Sequence, residues 1–540
     1  MSTGNFGRDK IIAGGLMALV GILPGAAWAT GAESIQVRFE TSCASEVQAE
    51  FNHAVTLLHS FEYLESTRIF GEIIDRDPAC AMARWGAAMS IWHPLWAPPS
   101  KADLEKGAEI LAGTAGLNTT PREAAFIDAL KAFYSSTEIS TNRDRARAYE
   151  ARMSELYANN LDDPEAVVFY ALAVRTTADP RDKSYAQQFK SAGILNWVRN
   201  SHPTHPGVLH YLIHAYDSPG LAHLALSAAI TYADAAPDSA HAQHMPSHIF
   251  TRLGLWDMSL ASNHQATASA AEYTVRAKLP GYYDDGVHSM DYLMYAMLQT
   301  ARDDEAAALL ERLGNIGKTD TENFKVAFVY AASPARYALE RRQWKQASEL
   351  TLGPSHFQWQ EFGWARAIHH FARGIGAARS GQLEKAQQEW ATLRELQEAL
   401  PGTTLPYWRE EMQVEMDAVM SWILLAEGDA DEALRLASAA ADREDAVDKH
   451  PVTPGEVLPA RELYADMLLE TGDYAGSLEQ YRVVLQGSPN RLNALLGAAR
   501  AAAGSGDMEF AAGYYAVVRE QTRSGNRGRM GLSQAWEASH

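Results

Sequence analysis

His210 and His214 stand four residues apart, and His244 and His248 repeat that spacing 34 residues further along the chain. Residues four apart on a helix share one face, and imidazoles placed so are close enough to bind a single metal ion. Two pairs one repeat apart would face the same space from neighbouring, parallel helices, whose axes lie about 8–10 Å apart. Neutral imidazole suits copper, zinc, iron or nickel. His241, His288, Asp217 and Asp291 lie in the same stretch. The two aspartates would either ligate directly or accept the second ring N–H of a ligand histidine and fix its tautomer.

The motif is not that of a zinc protease. Those enzymes carry a glutamate directly after the first histidine of the pair, where this chain has Tyr211 and Met245. Paired His-x3-His helices around a shared centre also occur in binuclear copper proteins, a parallel at the level of a site. Copper and zinc are therefore the expected ions. Pro246 falls between His244 and His248. Either it kinks a helix that began near Ser239, at a cost of about 3 kcal/mol, or the helix begins at Pro246 and leaves His244 in a turn. The alternative for the whole cluster is a polar, water-filled groove or a site for a peptide carboxylate. The chain holds no Gly-rich phosphate loop, no Gly-x-Ser-x-Gly elbow and no Cys-x-x-Cys pair, so no further signature names a reaction.

The elements that must position these residues are helices. Apolar residues return at intervals of three and four, as at Ala386, Trp390, Leu393 and Leu396, and strand-type alternation is hard to find. At the start, Arg8 and Lys10 precede an apolar run from Ile11 to Leu23, followed by Ala27-Trp28-Ala29. This pattern reads as a secretory signal peptide over residues 1–29, the alternative being an uncleaved anchor, although an apolar run of about 13 residues is short for a span. A periplasmic or secreted protein with no membrane span after cleavage is expected. The formal charge is −20, which repels phosphate backbones and argues against nucleic acid as a partner. Cys43 and Cys80, the two cysteines, are expected to be bridged in an oxidising compartment; the other reading makes them soft metal ligands.

Repeats are clearest at the C-terminus. Gly472-Asp473-Tyr474 is followed by Leu478, Tyr481 and Pro489, and Gly506-Asp507 falls 34 residues after Gly472-Asp473. Tyr63, Ser66, Phe70 and Asp77-Pro78 keep the same mutual spacings, and further copies turn at Gly220, Gly254, Ala301 and Gly381. This pattern resembles the tetratricopeptide repeat, in an exported bacterial type. The resemblance implies an all-α fold, a right-handed α-solenoid of tetratricopeptide-like helix pairs that must stack to bury their apolar faces. We divide the chain into a signal peptide at 1–29, a histidine-rich solenoid at 30–320, middle helical repeats at 321–450, and a C-terminal pair with a tail at 451–540.

In that family the second, fifth, ninth, twelfth and thirteenth positions of the first helix face the concave groove. Counting back from the turns puts His210, His214 and Asp217 at such positions, then His241, His244 and His248, then His288, Asp291 and Tyr295, with His59 at the thirteenth position of the first repeat. The expected metal ligands are therefore His210, His214, His244, His248, His288, Asp291, His241 and Asp217 on the concave face. The rival function is a metal-free scaffold that binds a peptide or protein partner in the groove. Residues 456–520, regular and free of histidine, are expected to be a structural cap or a partner surface, separable from the site.

Overall fold

Successive helices pack on one another in antiparallel pairs: Gln48–His59 on Tyr63–Arg76, Ala460–Thr471 on Tyr474–Gly487, and Leu492–Gly504 on Met508–Gln521. The computed structural model describes residues 37–96, 98–134, 141–237, 239–529 and 531–537. The signal-peptide reading of residues 1–29 lies outside them. Among the described residues the protein is all-α; Tyr282 and Thr319 form an isolated bridge and no strand is present. The fold is an α-solenoid of tetratricopeptide-like helix pairs.

The local reasons are legible in the chain. In the Tyr63–Arg76 helix the buried residues are Ser66, Ile69, Phe70 and Ile73, the spacing of one helical face. Gly472 and Gly506 end their helices at φ of 88° and 82°, a left-handed stop that glycine adopts without a Cβ clash. The aspartate after each caps the next helix, Asp473 accepting from the Gly476 N–H and Asp507 from the Phe510 N–H. Repeats then join through matching contacts. Gly86 lies under the Phe70 ring and Gly497 under the Tyr481 ring, so closely that a Cβ would come within 2.3 Å and 2.1 Å of them. Ser66 donates to the Ala54 carbonyl as Ser477 does to that of Ala465.

Cys43 and Cys80 form a disulfide that staples the first helix pair. The reading of these cysteines as metal ligands is set aside, since the bond uses both sulfurs.

Two expectations are corrected. The residues after Glu33 form one compact unit, and its C-terminal repeats are not a separable cap. Arg491, fully buried, joins Glu462 and Glu340 and donates to the Tyr295 hydroxyl at 2.9 Å. Asn490 donates to the Gly254 carbonyl, and the Trp256 indole donates back to that of Asn490. Nor is the histidine face an open groove. The segment at 449–456 returns across it: Lys449 pairs with Asp217 at 3.2 Å, Tyr292 donates to the Thr453 carbonyl, and Arg336 donates to the Thr453 hydroxyl and the Glu456 carbonyl. The chain's path brings late residues back over the early repeats and buries their inner face.

Candidate metal centre

The Pro206–Tyr216 helix carries His210 and His214, and its first turn is built by His205, whose Nδ1 accepts the Val208 N–H, and by Pro206. The second pair lies across a break. Ala240–His244 and Pro246–Arg252 are two short helices joined at Met245, which keeps helical dihedrals. Both readings of Pro246 are thus partly met: it opens a helix, and His244 still sits on a helical turn before it. Ser239 caps that turn and is held in place by Glu62, which also accepts from the Tyr283 hydroxyl. His288 comes from the Asp284–Gln299 helix.

The structure draws six histidines into two triplets. Ligand atoms of His210, His214 and His241 lie within 4.8 Å of one another, and so do those of His244, His248 and His288. The Nε2 atoms of His210 and His214 are 3.0 Å apart, those of His210 and His241 3.3 Å, and those of His244 and His248 3.0 Å. Ligands at about 2.0–2.1 Å from one metal ion, subtending 90–109°, are themselves about 2.9–3.3 Å apart. All six side chains are at most 2% exposed.

The hydrogen-bond network assigns the ring tautomers. His210 Nδ1 donates to the His59 carbonyl at 2.7 Å. His248 Nδ1 donates to Asp217 at 2.9 Å. His244 Nδ1 donates to the Asn263 side-chain oxygen at 2.7 Å, and the Asn263 amide is oriented by its own donation to the Ser259 carbonyl. In a neutral imidazole the other nitrogen is then a bare lone pair. His244 and His248 therefore point lone pairs at each other. Neither ring nitrogen of His288 has a hydrogen-bond partner. Burial holds these rings neutral: it pushes His210 down to about 3, lowers His248, and with neighbouring imidazoles sets His214, His241, His244 and His288 well below the ordinary value.

The two aspartates part company. Asp217 does not enter a triplet; it accepts from His248 and is paired with Arg252 and Lys449, the outer-shell role of orienting a ligand ring. Asp291 lies 3.4 Å from the Arg336 guanidinium, and burial, partly offset by that cation, raises its carboxyl to about 6. It joins neither triplet, so its place among the expected ligands is not met, and Tyr295 accepts from Arg491 instead. His59 belongs to a separate buried triad. Its Nε2 and that of His205 both donate to Glu165, at 2.8 and 2.9 Å, and its Nδ1 accepts from the Tyr211 hydroxyl. Every nitrogen there is committed to a hydrogen bond, and that triad stiffens the carbonyl on which His210 rests.

Sequence reasoning missed Asn263, Tyr292, Lys449 and Glu62. Tyr292 alone left a signal: it is four residues beyond His288, on the same face, and its ring packs 4.7 Å from those of His244 and His248.

No family model matches the chain, and no curated protein matches it. Among solved structures it is similar to the human IFIT1 dimer with m7Gppp-AAAA, at 11% identity and a TM-score of 0.38, over 90% of this chain and 98% of that one. It is also similar to the P58(IPK) TPR domain, at 13% identity and a TM-score of 0.21, over 72% of this chain and 98% of that one. These likenesses are too distant to bear on function.

Proposed function

We propose that this protein binds a transition metal, copper or zinc, in the core of its solenoid, through His210, His214, His241, His244, His248 and His288. The observation that carries the reading is the facing pair of lone pairs on His244 and His248, 3.0 Å apart and each fixed by a donor bond on the far side of its ring. Two acceptors held together in a buried site repel, and a cation between them turns that repulsion into coordination. His288, buried with both ring nitrogens unpaired, lacks its partner for the same reason. The charge and the leader pattern at residues 1–29 support an exported protein, periplasmic or secreted, with no nucleic-acid partner. No described helix is long and apolar enough to cross a membrane.

Six imidazoles, three per triplet, leave an open position on any ion that prefers four ligands, so metal-centred chemistry fits better than a purely structural ion. The rival scaffold reading draws no support from these residues, because a peptide has no route to side chains this deeply buried. Elemental analysis of untagged protein from its native compartment tests the proposal. Copper or zinc in stoichiometric amount is the expected result. Metal-free protein whose melting is unchanged by added metal or by chelator would overturn it.

A further inference from the structure

The six histidines do not suit one ion. Ligands on opposite sides of a single ion are at most about 4.2 Å apart, twice the usual metal–nitrogen distance, yet the ligand atoms here divide into two sets of three. The sets adjoin. The His214 and His248 ring centroids are 6.2 Å apart and those of His241 and His244 6.3 Å, against 4.5–6.2 Å for ring pairs within a set. One short stretch of chain serves both, since His241 belongs to the first triplet while His244 and His248 belong to the second. Two three-coordinate ions would therefore lie side by side, each with a vacant position.

The donor set restricts what the ions can be. All six ligands are neutral, and no carboxylate joins either triplet; Asp217 is already balanced by Arg252 and Lys449. Two divalent ions in so buried a place would leave a large uncompensated charge, which is costly in a low-dielectric interior. Univalent ions lower that cost, and of the metals that imidazole suits, copper is the one with a stable univalent state. Access restricts the ligand. Phe61 packs on His210, Trp96 lies over His241 and His288, and Tyr292 faces His244 and His248, a covering of rings that a small neutral molecule would pass far more readily than a peptide.

Resting on the metal-binding reading above, we propose that the triplets hold a pair of copper ions that binds dioxygen between them. The electrons balance within the pair: each copper(I) gives one electron, dioxygen takes both, its O–O double bond becomes a single bond, and the resulting peroxide bridges two copper(II) ions. No proton is required. The net charge of the site is the same before and after, because the added positive charge on the metals equals the negative charge on the peroxide. A neutral, buried ligand shell therefore faces the same net charge in both states.

The test uses the full mature chain, loaded anaerobically with copper(I), freed of excess metal and then given dioxygen. Expected are two coppers per chain, uptake of one dioxygen per pair, a strong near-ultraviolet absorption, and no copper EPR signal, since a bridged copper(II) pair couples its spins. His288→Ala removes a ring whose nitrogens bond to nothing else and should lose the uptake while the other triplet keeps its copper. One copper per chain, or two with no uptake, overturns the dioxygen proposal and leaves metal binding standing. Failure to bind copper or zinc at all overturns both. Full uptake by folded His288→Ala protein would sink the pairing.

Discussion

His244 and His248 face each other through Nε2 atoms 3.0 Å apart, while both Nδ1 positions are spent on Asn263 and Asp217. Neither ring can turn its proton inward without abandoning a buried acceptor. The facing lone pairs are thus held by residues on the far side of each ring, the arrangement by which outer partners orient metal-binding histidines.

Removing a ligand should be more costly than removing its support. His214→Ala and His248→Ala are each expected to lower metal affinity by more than the roughly 10–100-fold typical of outer-shell losses. Each removes a ligand from a different triplet, so the double substitution should weaken both triplets and its effects should come close to adding. His223→Ala, at an exposed position on the next helix, is the control. Titration with metal under matched buffer checks all four; unchanged affinity in both single variants would end the metal reading.

Asn263→Ala should weaken binding by about 10–100-fold, since it loosens the His244 tautomer and leaves its buried ring N–H only the long Ser247 contact at 3.5 Å. Asn263→Asp, which keeps an acceptor at the same place, should recover part of the loss. Equal affinities for the three proteins would show that the amide does not position the ligand.

The apo protein should lose stability in mild acid. Burial pushes these imidazoles below the ordinary value of about 6.5, His210 to about 3, so between those values the unfolded chain binds protons that the folded one refuses. Their contribution is complete above about pH 6.5 and declines as pH falls toward 3. Chemical denaturation of apo protein from pH 7.5 to 4 should show this decline. Stability that holds level over that range would contradict buried, neutral rings.

Breaking the staple should cost about 4 kcal/mol in the chain-entropy model for a loop of this length. Native protein should show no free thiol, and the Cys43→Ser, Cys80→Ser double variant should unfold at lower denaturant with unchanged affinity for added copper or zinc, because neither cysteine belongs to a histidine triplet.

Arg491 ties the last repeats to the core. Arg491→Ala leaves Glu340 buried without its cation and Glu462 with Arg342 alone, and about 3–5 kcal/mol of stability should be lost. A loss under 1 kcal/mol would mean that the C-terminal repeats are a detachable cap after all. A measurement of denaturation midpoints decides between them.

Much of the scaffold was legible because tetratricopeptide-like order is local. The Gly-Asp turns at 472 and 506 and the Ser66 and Phe70 spacings act within one repeat, over distances that a single stretch of chain encodes. The histidine register was legible for the same reason, since residues four apart share a helix face whatever surrounds them. Asp291 shows the limit of that reasoning. Its position in the stripe matched a ligand, but Arg336, from another helix, took it.

By itself, then, the chain determined its helices, the spacing of its histidines and the nearness of Cys43 to Cys80, all set by short-range geometry. Tertiary structure alone decided that six histidines form two triplets, that they are buried, and which nitrogen of His210, His244 and His248 carries its proton. Those facts depend on partners far away in sequence: the His59 carbonyl 151 residues from His210, Lys449 232 residues from Asp217, and the Thr453 carbonyl 161 residues from Tyr292. Periodicity fixes which face a residue occupies; only the path of the whole chain fixes what that face meets, and with it the charge, tautomer and exposure on which the chemistry depends.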